Sequence, residues 1–275
     1  MLEPPAPPPP FTLAALKFPA IDPVIFELGP FAVRWYALAY IAGLILGWRY
    51  ILAIGPSIGG KVPPAAIDDF LMWATLGIIL GGRFGYVLFY QFGYFTDNPL
   101  QIFYVWQGGM SFHGGLLGVG VSGLLFSWKR GVSFWALADL VACAAPIGLF
   151  FGRIANFING ELWGRTTNVP WAFIFPRGGP FPRHPSQLYE AFLEGVVLFS
   201  LLWVARRHFP ESKRSGFLIG LFLGAYGLFR TIAEAFREPD AQIGYVFGAL
   251  TLGQLLSLPV LFLGIWQMHR IRTRP

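Results

Sequence analysis

Seven stretches of this chain are apolar over lengths that reach across a lipid bilayer, and nothing else in the sequence restricts the fold as much. At about these limits they cover residues 31–53, 66–89, 111–128, 135–151, 186–205, 216–236 and 250–268. A spanning helix needs about 20 residues, with a range of about 17–25, so the third and fourth stand near the lower limit. Composition agrees. Of the 275 residues 55% are hydrophobic and 12% charged, with a mean hydropathy of +0.56, whereas a soluble domain carries roughly 25% charged residues. The expected fold is all-α and integral to the membrane: a polytopic bundle of about seven transmembrane helices with a small periplasmic cap. Length predicts a single membrane-embedded domain over 18–270. A proline-rich N-terminal arm, 1–17, precedes it, and a basic cytoplasmic tail, 271–275, follows. Residues 1–10 hold no Lys or Arg and lack the basic and apolar regions of a signal peptide.

The formal charge of +6 is placed as in a membrane protein rather than a nucleic-acid binder. Arg49 and Lys61 follow the first span, Lys129 and Arg130 the third, and Arg206, Arg207, Lys213 and Arg214 the fifth; Arg270, Arg272 and Arg274 close the chain. Of the alternate connections, 91–110 has no Lys or Arg at all. The positive-inside rule then sets the N-terminus outside and the C-terminus in the cytoplasm. On that topology Arg34, Tyr36, Arg83, Tyr86, His113, Arg153, Asn156, Glu190, Arg230 and Glu234 all fall toward the outer face. Scattered structural polar residues would not sort to one side.

The most polar segment next to a span is Gly152-Arg153-Ile154-Ala155-Asn156-Phe157-Ile158-Asn159-Gly160-Glu161-Leu162-Trp163-Gly164-Arg165-Thr166. An arginine at bilayer depth costs about 2.5–3.5 kcal/mol on insertion scales, so its presence asks for a reason. Arg153, beside Gly152 and the polar loop, reads as the holder of an anionic group, since a guanidinium presents a planar fork suited to phosphate oxygens. Arg230 reads the same way. Tyr226 at i−4, Glu234 at i+4 and Arg237 three residues beyond it form a ladder that could be structural. Two arginines against one glutamate still leave a positive charge for a ligand.

His113, in Ser111-Phe112-His113-Gly114-Gly115, is the side chain best suited to take a proton near neutral pH; a hydrogen-bonded interfacial histidine is the alternative. His184-Pro185-Ser186-Gln187 reads as a helix start, with Glu190 and Glu194 on one face beyond it. Glu190 is placed to orient an arginine or a hydroxyl, and Glu194 to be paired inside the bundle. Asp139 reads as a charge at the N-terminus of its own helix. The single cysteine, Cys143, reads as a small buried apolar side chain. Arg83, in Gly81-Gly82-Arg83-Phe84-Gly85, reads as part of glycine-rich helix packing. The sequence has no phosphate loop, no Gly-x-Ser-x-Gly, no His-Glu-x-x-His and no close cluster of metal ligands. No metal and no cofactor are expected.

Taken together these residues resemble the prolipoprotein diacylglyceryl transferase family of bacterial inner membranes. The long signature is similar to the segment from Gly152 to Gly164, with Ala155 where the family usually has glycine. Trp35-Tyr36, Gly82 to Tyr90, Gly108 to Gly115, His184 to Glu190, and Tyr226 through Arg230 to Asp240 match further. The resemblance implies a transferase. Phosphatidylglycerol would donate its diacylglyceryl group to the lipobox cysteine of a prolipoprotein signal peptide, giving a thioether and glycerol 1-phosphate. It implies His113, Arg153 and Arg230 as catalytic residues. It implies Tyr36, Asn156, Glu161, Gly164 and Glu234 at the substrate, and Asp139 as structural support; Tyr226, on the same helix face as Arg230, is placed at the substrate with them. Partners would be the lipid, the signal peptide and the membrane, with no nucleic acid. The rival readings are a transporter or flippase for an anionic solute, which needs polar residues along the whole path, and a non-catalytic scaffold.

Overall fold

The computed structural model describes residues 15–19, 21–28, 31–58, 62–210, 214–239, 245–246 and 250–273. Most of the proline-rich arm, Lys61, Lys213, Asp240 and the last two residues of the tail therefore lie outside the described residues. The chain is an all-α polytopic membrane protein. In hydrocarbon a segment must satisfy its own backbone donors and acceptors, and a long apolar helix does so. Six helices among the described residues are long and apolar enough to cross a membrane. They occupy Trp35–Ser57, Pro64–Phe89, Phe134–Ile158, Ser186–His208, Phe217–Glu234 and Leu252–Arg272.

In chain order the elements are β1 (Leu16–Lys17), β2 (Val24–Leu28), β3 (Phe31–Arg34), α1 (Trp35–Ile54), α2 (Pro64–Phe89), α3 (Phe92–Asp97), α4 (Phe112–Arg130), α5 (Phe134–Ile158) and β4 (Phe173–Ile174). Then come α6 (Ser186–Glu190), a π-helical segment Ala191–Val197, α7 (Leu198–His208), α8 (Phe217–Glu234), β5 (Tyr245–Val246), β6 (Leu250–Thr251) and α9 (Leu252–Arg272). The π segment joins α6 to α7 in one continuous helix. The first predicted span begins four residues late, because Phe31–Arg34 pairs antiparallel with β2. The third predicted span is α4. Its 19 residues include Gly114, Gly115, Gly118, Gly120 and Gly123, which lower its apolar content.

Two compact units divide the chain. The first comprises residues 1–45, 145–201 and 222–266, and the second comprises 46–144, 202–221 and 267–275. In the second unit α4 lies against α2, backbone on backbone. A Cβ on Gly118 would collide with the Gly77 carbonyl oxygen, and one on Gly81 with that of Gly114; one on Gly85 would stand 2.8 Å from Gly114 Cα. Small residues permit such approach where no hydrophobic effect drives helices together. Gly118→Val is expected to cost about 1–3 kcal/mol or more through overpacking, read as faster thermal inactivation in detergent.

The same unit buries Asp139, which is fully inaccessible. It does not serve the start of its own helix, as expected from the sequence. Its two carboxyl oxygens accept the backbone N–H groups of Gly216 (2.6 Å) and Ile219 (2.8 Å), capping α8. The reason is the burial of that helix end: unbonded N–H groups there would be orphans. Asp139→Ala is expected to destabilise by about 1–3 kcal/mol, with Asp139→Asn losing less, measured by the same inactivation assay.

In the first unit the residues between α5 and α6 form a small non-helical cap. β1 pairs parallel with β4. Phe173 and Arg183 exchange backbone hydrogen bonds of 3.0 and 2.9 Å. Phe18 packs on Phe157 and Phe175 at ring separations of 5.3 and 5.2 Å. These aromatics anchor the cap where backbone pairing alone is sparse.

Candidate active site

The fourth span does not end at residue 151, as the apolar run predicts, and Arg153 lies within its helix. Helix α5 continues through Gly152 to Ile158, so the guanidinium projects from the last turns of a rigid rod. Its Nε lies 2.7 Å from Glu190 Oε2 and its Nη2 3.4 Å from Glu194 Oε2. Arg230, on α8, reaches the same two carboxylates: Nη1 is 2.8 Å from Glu190 Oε1 and 3.7 Å from Glu194 Oε1. Its Nη2 lies 2.6 Å from Glu234 Oε2, one turn along. Arg237 Nη1 adds a third cation, 3.4 Å from Glu190 Oε1. Glu190 and Glu194 are 1% and 0% exposed. Carboxylates so deep are tolerated only when paired.

The charge expected from the sequence is thereby corrected. The ladder Arg230-Glu234-Arg237 sets two guanidiniums against one carboxylate, although α8 ends at Glu234 and Arg237 lies beyond it. Glu190 and Glu194 enter from the facing helix, so Arg153, Arg230 and Arg237 stand against Glu190, Glu194 and Glu234, three to three. Among the described residues nothing takes the Nη1 donors of Arg153. An arriving anion can use those donors at once, and it can take over a guanidinium edge from a carboxylate.

The remaining candidates of this unit are held by hydrogen bonds and packing of their own. Asn156 Nδ2 donates to Glu161 Oε1 at 2.8 Å, and Asn159 Nδ2 to the same oxygen at 3.4 Å. The Glu161 carbonyl accepts from Gln187 Nε2 (2.5 Å), and the Leu162 carbonyl from Ser186 Oγ (3.0 Å). These bonds hold Leu162 at φ +57, a left-handed conformation that a leucine adopts only when its surroundings impose it. Tyr40 donates its phenolic hydrogen to Tyr36 at 3.3 Å, and Arg153 and Glu161 both act on Tyr40 electrostatically. Tyr226 stacks on Phe222 and lies within electrostatic reach of Arg230, Arg153, Glu190 and Glu194.

Gly164 acts through its lack of a side chain. A Cβ there would meet Phe236 O at 2.5 Å and His184 Cβ at 2.6 Å. Its N–H donates to the His184 carbonyl at 2.8 Å. The His184 ring is itself held: Trp171 Nε1 donates to the Tyr189 hydroxyl (2.7 Å), which is then left to donate to His184 Nδ1 (3.1 Å). Burial holds the His184 pKa below its usual value, in keeping with an imidazole that accepts at Nδ1.

His113 belongs to the second unit. It lies in the first turn of α4, after Ser111, whose Oγ caps the helix by accepting from Gly114 N at 3.2 Å; its side chain lies outside the described residues. Arg83 does more than join the glycine-rich packing expected of its neighbours. It is buried and gives its N–H groups to carbonyls of the loop before His113. They are Ile102 (2.8 Å), Gly108 (2.6 Å), Gly109 (3.2 Å), Gln101 (2.5 Å) and Tyr104 (3.4 Å). Helical spacing sets Glu190 and Glu194 on one face, but nothing local shows that Glu190 serves three arginines. Gln187 and Ser186, seen as a helix start, turned out to clamp the Glu161 turn.

A family model described as prolipoprotein diacylglyceryl transferase matches residues 23–270. The chain belongs to the prolipoprotein diacylglyceryl transferase family. Relatives carrying the name phosphatidylglycerol–prolipoprotein diacylglyceryl transferase align over nearly their whole length. One from Azospirillum brasilense is 58% identical over 265 residues, covering 96% of this chain and 99% of its own. One from Allorhizobium ampelinum is 54% identical, with coverages of 94% and 93%, and one from Brucella canis is 54% identical, with 94% of each. The part matched to the diacylglyceryl transferase family includes every candidate residue from Tyr36 to Glu234.

Proposed function

We propose that this protein transfers the diacylglyceryl group of phosphatidylglycerol to the lipobox cysteine thiol of prolipoprotein signal peptides. The site would face the outer leaflet of a bacterial inner membrane, with the N-terminus periplasmic and the C-terminus cytoplasmic. One observation carries the reading: guanidiniums from two helices, Arg153 and Arg230, converge on the two oxygens of Glu190. Two forks held this close can grip one phosphodiester.

In the reaction the thiolate sulfur attacks the glyceryl carbon esterified to phosphate. The C–S bond forms, the C–O bond breaks, and its electron pair leaves on the phosphate oxygen of glycerol 1-phosphate. Negative charge grows on that oxygen, where Arg153 and Arg230 stabilise it. The thiol, with an ordinary pKa near 8.5, must first lose its proton; His113 takes that role. Tyr36, Asn156, Glu161 and Tyr226 orient the headgroup and the arginines. Gly164 keeps the cap close, and Glu234 holds Arg230. The nucleophile comes with the substrate, so the buried Cys143 is not needed.

The test uses purified protein, phosphatidylglycerol and a lipobox peptide, followed by mass spectrometry. A diacylglyceryl adduct on the cysteine, with glycerol 1-phosphate released in equal amount, supports the reading. No adduct on that peptide, from protein that is folded and lipid-supplied, would refute it.

A further inference from the structure

Glu234 pairs with Arg230, yet the other side of its carboxylate rests on a different element. Thr251, at the end of β6, is 2% exposed. Its Oγ1 accepts the N–H of Gln254 at 3.2 Å, while Gln254 Oε1 accepts the N–H of Thr251 at 3.2 Å. That reciprocal pair is a capping box at the start of α9. Because the hydroxyl oxygen is engaged as an acceptor, its hydrogen is free to point away, and it donates to Glu234 Oε1 at 3.1 Å. Gly253 completes the seat. A Cβ at that position would stand 2.5 Å from Glu234 Cδ and 2.6 and 2.7 Å from its oxygens. The carboxylate thus lies on the first turn of a 21-residue helix, whose N-terminal dipole favours negative charge.

We propose that Thr251 and Gly253 are positioning residues for the transfer reaction, seating Glu234 on the α9 N-terminus and so fixing Arg230 against the phosphodiester. The chain of contacts runs from the Thr251 hydroxyl to Glu234, to Arg230, to Glu190 and to Arg153. A guanidinium surrounded by carboxylates can swing toward any of them. Fixing Glu234 at 2.6 Å from Arg230 Nη2 fixes one edge of the fork and leaves the opposite edge to its other partners. This inference rests on the function proposed above, since it assigns a task to the group that holds Arg230.

The experiment measures kcat and KM for diacylglyceryl transfer with phosphatidylglycerol vesicles and a lipobox peptide. Thr251→Val, Thr251→Ser, Gly253→Ala, Glu234→Gln, the double variant Thr251→Val/Glu234→Gln and Arg230→Lys are compared with wild type, each with its thermal inactivation curve. Loss of a hydrogen bond to a charged group predicts a fall of about 10- to 100-fold in kcat for Thr251→Val. Thr251→Ser keeps the hydroxyl and should recover to within about threefold of wild type. Gly253→Ala leaves the capping box intact and should still lose about tenfold or more by displacing the carboxylate. The deciding comparison is the double variant. If Thr251 acts through Glu234, it is no slower than Glu234→Gln alone, whereas a purely structural role gives additive losses. Wild-type kcat in both Thr251→Val and Gly253→Ala, or additivity in the double variant, overturns the proposal while transfer by the wild type stands. No transfer by wild type, or full activity of Arg230→Lys, overturns the functional reading beneath it as well.

Discussion

Arg153→Ala is expected to reduce diacylglyceryl transfer below detection, at least about 10³-fold, while the protein still inserts in the membrane. Removing one preorganised donor from a developing oxyanion costs about 10²–10³ in rate. Arg153 supplies two things at once: an ion pair to Glu190 and Glu194, and Nη1 donors that no described protein group occupies. The loss should appear in kcat more than in KM, because the charge on the leaving oxygen grows during the reaction. Arg153→Lys sharpens the test. Lysine keeps the charge but cannot bond Glu190 and a phosphate with one planar fork, so a loss of about 10-fold or more is expected. Turnover near wild type in Arg153→Ala, with phosphatidylglycerol at saturation, would remove the arginine from the mechanism. Tolerance of Arg153→Lys alone would point to a charge without directional role.

The second large effect concerns Glu190→Ala. This carboxylate meets Arg153 at 2.7 Å, Arg230 at 2.8 Å and Arg237 at 3.4 Å. Without it three guanidiniums face one another around Glu194 and Glu234, two carboxylates for three cations. Breaking a buried pair by removing one partner costs about 3–5 kcal/mol, and here one partner serves three. The expected outcome is a sharply shortened half-life at fixed temperature in detergent, together with loss of transfer. Glu190→Gln keeps the shape and one acceptor oxygen. It should survive purification while losing about 10- to 100-fold in activity, which separates the electrostatic role from the packing role. A Glu190→Ala protein as durable as wild type would mean that the arginines find other partners.

What the sequence made legible was whatever depends on local pattern. Apolar runs gave most span limits to within about four residues, but the fourth span runs seven residues past its predicted end at 151, because Arg153 and Asn156 broke the apolar pattern without ending the helix. The Gly152–Gly164 segment pointed to Arg153, Asn156 and Glu161 through an arginine set beside an apolar run. Arg230 and Glu234 were legible as a pair because four residues make one helical turn. What stayed hidden depends on contacts distant in sequence. Glu190 and Arg153 are 37 positions apart in the chain, so their contact is a matter of helix packing that no spacing reveals. Asp139 looks like a charge for its own helix, since nothing local indicates that the N-terminus of α8 lies beside it. Around Arg83 the local signal is its glycine neighbours, and its bonds to five loop carbonyls appear only once that loop is folded. Thr251 and Gln254 did have the spacing of a capping box. The apolar run predicted over 250–268 overshadowed that signal.

The π-helical segment Ala191–Val197, which itself carries Glu194, separates the turn that bears Glu190 from the rest of its helix. A wide turn of this kind holds one residue more than the ordinary helix, which advances about 100° per residue. Deleting a single residue there would let the rod close into regular winding and turn Ser186–Glu190 by roughly that angle relative to α7. Glu190 would then face away from Arg153 although no charged residue had been touched. The irregular turn thus serves as the angular setting of the helix, and the length of this stretch, more than the identity of its side chains, decides where the shared carboxylate points.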